Sequence, residues 1–165
     1  MNELKILMLG FAVAISLFSL ANLNSAFAQT ETEAFTALLT GGEEVPPVTT
    51  DSAGIAILNV TGPESIDYRV NVTGMDKVTA AHIHSGPTGE NGEVIVTLFK
   101  ADSPTGEISG NLANGTITGS SLEGQMQGTA VSDLVKAMER GETYVNVHTE
   151  ANPNGEIRGQ VSTAQ

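Results

Sequence analysis

The run Ile66-Asp67-Tyr68-Arg69-Val70-Asn71-Val72 constrains this chain more than any other. Its apolar side chains fall at every second position with polar ones between, so it must be extended, with one face buried and one wet. Short runs rich in Val and Ile recur on both sides of it. They lie at Phe35 to Leu39, Gly54 to Val60, Thr79 to His84, Val94 to Phe99, Glu107 to Leu112, Gly115 to Thr118, Leu122 to Gln127, Thr143 to His148 and Glu156 to Val161. The chain's 18 glycines, with many Thr, Asn and Ser residues, punctuate these runs. Short strands with turn signals about every 8–12 residues predict an all-β antiparallel sandwich or barrel.

One segment departs from this pattern. Ser132-Asp133-Leu134-Val135-Lys136-Ala137-Met138-Glu139-Arg140 reads as a short crossover helix. Ser132 suits an N-cap, Asp133 the positive end of the helix dipole, and Arg140 with Gly141 the C-terminus. Leu134, Val135 and Met138 would form its buried stripe. Gly41 to Asp51 is a stiff loop, because Pro46 and Pro47 fix φ and donate no hydrogen bond.

Residues 1–28 are set apart from the fold. Met1 to Lys5 is a short polar segment, Ile6 to Leu20 is an apolar stretch, and Ala26-Phe27-Ala28 offers an A-x-A cleavage site. The stretch falls short of the ~20 apolar residues a membrane span needs. It predicts a signal peptide cleaved after Ala28, and a protein secreted to the cell envelope or beyond. Residues 29–165 then form one domain, large enough for a core without staples. The net charge of −12 excludes nucleic-acid binding by phosphate neutralisation and docking of the mature form on an anionic membrane. There is no cysteine, so the fold uses no disulfide, and thiolate catalysis and thiolate metal sites are excluded. No Ser sits in a nucleophile elbow, and no phosphate loop or stacking platform is visible. The predicted role is therefore binding rather than catalysis.

All three histidines fall in two segments, Ala81-His82-Ile83-His84-Ser85-Gly86 and Tyr144-Val145-Asn146-Val147-His148-Thr149. On a strand, His82 and His84 share one face. After each segment the chain runs through a polar Gly/Pro loop into Asn-Gly-Glu and a new apolar run. This predicts two similar hairpins, each presenting a histidine where a strand enters its loop, with Asn91-Gly92 and Asn154-Gly155 as type I′ turn signals. Imidazole suits copper and zinc, so His82, His84 and His148 are candidate ligands of one metal ion. The competing reading has them bonding backbone groups and holding loops. The loop acids and amides Glu90, Asn91, Glu93, Glu150, Asn152, Asn154 and Glu156 lack the spacing of a calcium loop, and turn chemistry explains them better. Arg158 is expected to pair with Glu156, Asp67 or Glu93 on the sheet surface.

Glu44-Val45-Pro46-Pro47-Val48, the His82-Ile83-His84 segment with Gly86 and Gly92, and Tyr144 to Thr149 through Asn152-Pro153-Asn154-Gly155-Glu156-Ile157-Arg158-Gly159-Gln160 resemble the CHRD (chordin) domain family. The resemblance runs from about Phe35 to Val161. It implies an extracellular all-β domain of immunoglobulin-like or Greek-key sandwich type. The resemblance carries no settled function for a stand-alone domain, and the expected role is a non-catalytic interaction module with an unidentified extracellular partner. The interaction end would be built from the His-bearing hairpins and the proline loop, with Glu44, Pro46, Pro47, Asn91, Gly92, Asn154, Gly155 and Arg158 as binding-loop residues. A weaker resemblance links His82-Ile83-His84 and Val147-His148 to the copper-ligand strands of copper–zinc superoxide dismutases. A dinuclear centre is excluded because no further histidines exist, leaving a mononuclear copper or zinc site as the alternative, with superoxide chemistry as its extension.

Overall fold

The alternating runs become nine antiparallel strands in a computed structural model that describes residues 33–164. The expected signal peptide and its cleavage site lie outside the described residues. The strands are β1 (Ala34–Thr40), β2 (Ala53–Gly62), β3 (Ser65–Met75), β4 (Val78–Ser85), β5 (Val94–Lys100), β6 (Ile108–Ile117), β7 (Thr143–Thr149), β8 (Ile157–Gln160) and β9 (Ser162–Thr163). They follow the order β5-β4-β7-β8-β1-β2-β3-β6, with β9 alongside β1. The sheet curls almost into a barrel. Its two halves face each other across one core, as the layers of a sandwich do. Phe35, Leu39, Leu58, Ile66 and Val70 from one half and Ile83, Ile95, Val145, Val147 and Ile157 from the other are buried together there.

The halves meet at two seams. At the first, Thr40 of β1 pairs with Arg158 of β8, and Phe35 and Thr36 pair with β9. The second seam lies between β5 and β6, which do not pair. The Tyr68 hydroxyl of β3 donates to the Leu98 carbonyl of β5 at 2.7 Å. Past β6, Leu122 bridges to Val96 and the Glu123 N–H donates to the Ile95 carbonyl at 3.0 Å. The segment after β6 thus covers the edge of β5, where an open strand would invite pairing with another chain.

Three local expectations need correction. Glu107 to Leu112 and Gly115 to Thr118 form one strand, because pairing with β3 continues across a bulge at Val70/Asn71. Leu122 to Gln127 is not a strand. After the single bridge at Leu122 it turns into a 3₁₀ segment, Gly124–Met126, entered through Gly124 at φ +56°. The helix, α1 (Val131–Glu139), begins two residues earlier than an N-cap at Ser132 implies, with Ala130 as its N-cap and no capping side chain. Burial of Val131, Leu134, Ala137 and Met138 fixes it instead. Its C-terminus is as expected. The N–H of Gly141 (φ +66°) donates to Met138 and that of Glu142 to Ala137, both at 2.9 Å. This is a Schellman motif.

Candidate metal centre

Alternation along β4 sends Ala81 and Ile83 into the core and turns His82 and His84 to the opposite face. In β7, Val145 and Val147 face the core, so Tyr144, Asn146 and His148 share the histidine face. Every residue of β7 is nonetheless buried. The two strands are neighbours, with His82 opposite Asn146, His84 opposite Tyr144 and His148 opposite Ala80. This register gathers all three imidazoles around Asn146. Their prospective ligand nitrogens lie within 4.8 Å of one another. Metal–nitrogen bonds of about 2 Å place ligand nitrogens roughly 3.3 Å apart, so the widest pair needs a rotation of order 1 Å to close.

The two expected hairpins are present, β4–β5 and β7–β8. Each loop does the same thing for its histidine. His84 Nδ1 donates to the Gly92 carbonyl at 2.9 Å, and His148 Nδ1 donates to the Pro153 carbonyl at 3.0 Å. A carbonyl only accepts, so Nδ1 carries the hydrogen and Nε2 the lone pair in both rings. This outer-sphere carbonyl bond is what orients a metal-ligating imidazole. His148 Nε2 accepts from His82 Nδ1 at 3.0 Å. His84 Nε2 is buried and has no hydrogen-bond partner among the described residues. All three rings are held neutral. Burial, then the neighbouring His148 and His84, push His82 down to about 4. Burial likewise lowers His84 and His148.

The loops are not type I′ turns, since neither Asn91 nor Asn154 has positive φ. The loops instead fold back over the sheet, and glycine is required where they touch it. A Cβ at Gly92 would collide with the Ser85 backbone, and one at Gly155 (φ +130°) with Glu44 and Asn146. Arg158 also departs from expectation. It is fully buried and makes no surface ion pair with Glu156, Asp67 or Glu93. It lies 3.4 Å over the Tyr144 ring and donates to Asn91 Oδ1 and to the Pro87 and Glu90 carbonyls. An arginine on the outer sheet face is buried because the 86–92 loop lies on top of it. Tyr144 is stacked on its other side by His84, with centroids 4.8 Å apart.

The remaining binding-loop candidates divide. Pro46, Pro47, Asn91, Gly92 and Asn154 are exposed, whereas Glu44, Gly155 and Arg158 are buried. Asn91 Nδ2 donates to the Val45 carbonyl at 2.7 Å, tying the proline loop to the first hairpin. The Glu44 carboxyl is pushed up to about 7 by burial, against the pull of Arg158. Glu156 works oppositely. Burial raises it, but hydrogen bonds from Thr149, Thr50, Asn152 and Ser52 outweigh that and hold it below its ordinary value. That carboxylate fastens the second hairpin loop to the segment before β2.

Asn146, Tyr144 and the burial of Glu44 were not anticipated. The signal was present for the first two, because the alternation that selects His148 places them on the same face.

A family model for the CHRD domain matches residues 35–161. Chordin of Xenopus laevis is 31% identical over 124 residues, and chordin of Danio rerio 32% over 120, each match covering 70% of this chain. The chain spans about 12% of the length of these curated relatives. No solved structure matches. The His-bearing hairpins, the proline loop and the buried arginine between them all lie inside the matched stretch, and this chain belongs to the CHRD domain family.

Proposed function

We propose that this chain is an extracellular CHRD module that binds one transition-metal ion, zinc or copper, through His82, His84 and His148. One observation carries the reading. Three neutral imidazoles converge on one sheet face, two of them oriented by loop carbonyls, and the lone pair of buried His84 Nε2 is left unused. A buried acceptor without a donor is costly, and a metal ion would satisfy it. Export after Ala28 would place the site outside the cytoplasm, which N-terminal sequencing of the mature protein tests. The metal test is titration of the protein with Zn(II) and Cu(II), alongside His84→Ala and His148→Ala. Stoichiometric binding lost in both variants supports the site, and equal binding by all three chains removes it.

A second reading, a protein-interaction module, is favoured by the relationship to chordin and by the exposed rim of Pro46, Pro47, Asn91 and Asn154. The two are compatible, since an ion in the histidine cluster would stiffen the hairpin loops that carry part of this rim.

A further inference from the structure

Asn146 lies at the middle of the histidine cluster. It faces His82 directly across the β4–β7 ladder, is two residues from His148 on the same face, and is diagonal to His84. The residue is 2% exposed. The amide nitrogen is directed at the hairpin loop, where it makes one long contact of 3.5 Å with the Asn154 carbonyl. The amide oxygen, Oδ1, is buried and has no donor among the described residues. His84 Nε2 is in the same condition. With its Nδ1–H committed to the Gly92 carbonyl, His84 Nε2 carries a lone pair and has no hydrogen to offer. Two buried electron-pair donors with no hydrogen to share are a costly arrangement unless a cation lies between.

We propose that Asn146 Oδ1 is the fourth ligand of the site, giving one ion three imidazole nitrogens and one amide oxygen. This rests on the three-histidine reading and adds selectivity to it. The donor set contains no thiolate, because the chain has no cysteine. Nitrogen and oxygen donors suit divalent zinc or copper, whereas Cu(I) prefers softer sulfur ligands. The arrangement also leaves Asn146 buried by necessity. A shorter residue would lose the donor, and a larger one would displace the Gly155 contact above it.

The test uses the full mature chain and two probes. Zn(II) affinity is measured by competition against a chromophoric chelator, and coordination by the visible absorption of bound Co(II). Wild type is expected to bind one ion with the intense bands of a four-coordinate site. Asn146→Ala is expected to weaken Zn(II) binding about 10- to 100-fold and to alter the Co(II) spectrum. Asn146→Asp, which keeps an oxygen at the same place, is expected to bind at least as tightly as wild type. It carries the test by itself if the alanine variant does not fold. Wild-type affinity and an unchanged Co(II) spectrum in Asn146→Ala, or background affinity in folded Asn146→Asp, overturn the proposal. His84→Ala in the same assay separates the two claims. If it alone loses metal, the three-histidine site stands without Asn146, and if it too binds like wild type, both fall.

Discussion

Glu44→Gln should stabilise this domain more at high pH than at low pH, by an amount that follows from one buried carboxyl. Glu44 is 5% exposed, its Oε1 has no hydrogen-bond partner among the described residues, and its pKa is raised from 4.5 to about 7. The folded state therefore holds a proton that the unfolded chain has already released. A group whose folded pKa is raised contributes stability that is complete below its unfolded pKa and lost as pH rises through the folded value. At about 1.4 kcal/mol per unit, ionisation costs roughly 3 kcal/mol in full, of which about 1.4 kcal/mol falls between pH 6 and 8.5. Glutamine is close in shape and cannot ionise. The three histidines titrate in the opposite sense. Their folded values are lowered, so their share of stability is lost as pH falls below 6.5. They are common to both chains and cancel in the difference. Urea denaturation of wild type and variant at pH 6.0 and 8.5 measures the effect. The stability difference in favour of glutamine should grow by about 1.4 kcal/mol across that window. Parallel pH curves for the two proteins would mean that Glu44 ionises as freely in the fold as in the open chain, and the reasoning would be refuted.

Glu156→Ala should cost roughly 1–3 kcal/mol, because it strips the acceptor from four hydrogen bonds. Since the Glu156 pKa is lowered in the fold, the cost measured by denaturation should shrink as pH falls below about 4.5. Tyr68→Phe removes the hydroxyl bridging β3 to β5 and should cost about 0.5–1.5 kcal/mol, with faster amide exchange in β5. Gly155→Ala sets a methyl against Glu44 and Asn146 at φ +130° and should destabilise by more than about 1 kcal/mol, as read by thermal melting. If the histidine cluster takes zinc, the ion at a hundredfold excess over its Kd should add about 2.7 kcal/mol to wild-type stability and nothing to His84→Ala.

Much of the fold was legible because the governing periodicities are local. The alternation at Ile66 to Val72 needs only its own seven residues to announce a half-buried strand, and β3 follows it. Where local signals compete, the reading failed. Leu122 to Gln127 has a strand's apolar content, but Gly124 turns it away after one bridge. Ser132 is a good cap by composition, yet the helix starts where Val131 finds the core. The site was half legible. His-x-His on one strand and His148 on another can be read from spacing, but their meeting depends on the register of β4 against β7, strands about sixty residues apart in the chain. The buried state of Glu44 and Arg158 was invisible because no local pattern marks a loop that folds back over a sheet. Arg158 was expected on an open surface, where a carboxylate would have been its natural partner, and the 86–92 loop supplies backbone carbonyls instead.

The pairing of β1 with β9 has a consequence for how such a domain can be used. Ala34 and Ala164 are joined by a backbone hydrogen bond of 2.8 Å, so the described fold begins and ends side by side. A unit with adjacent ends can be repeated like beads on a cord, or spliced into a surface loop of an unrelated host, without either neighbour having to reach across it.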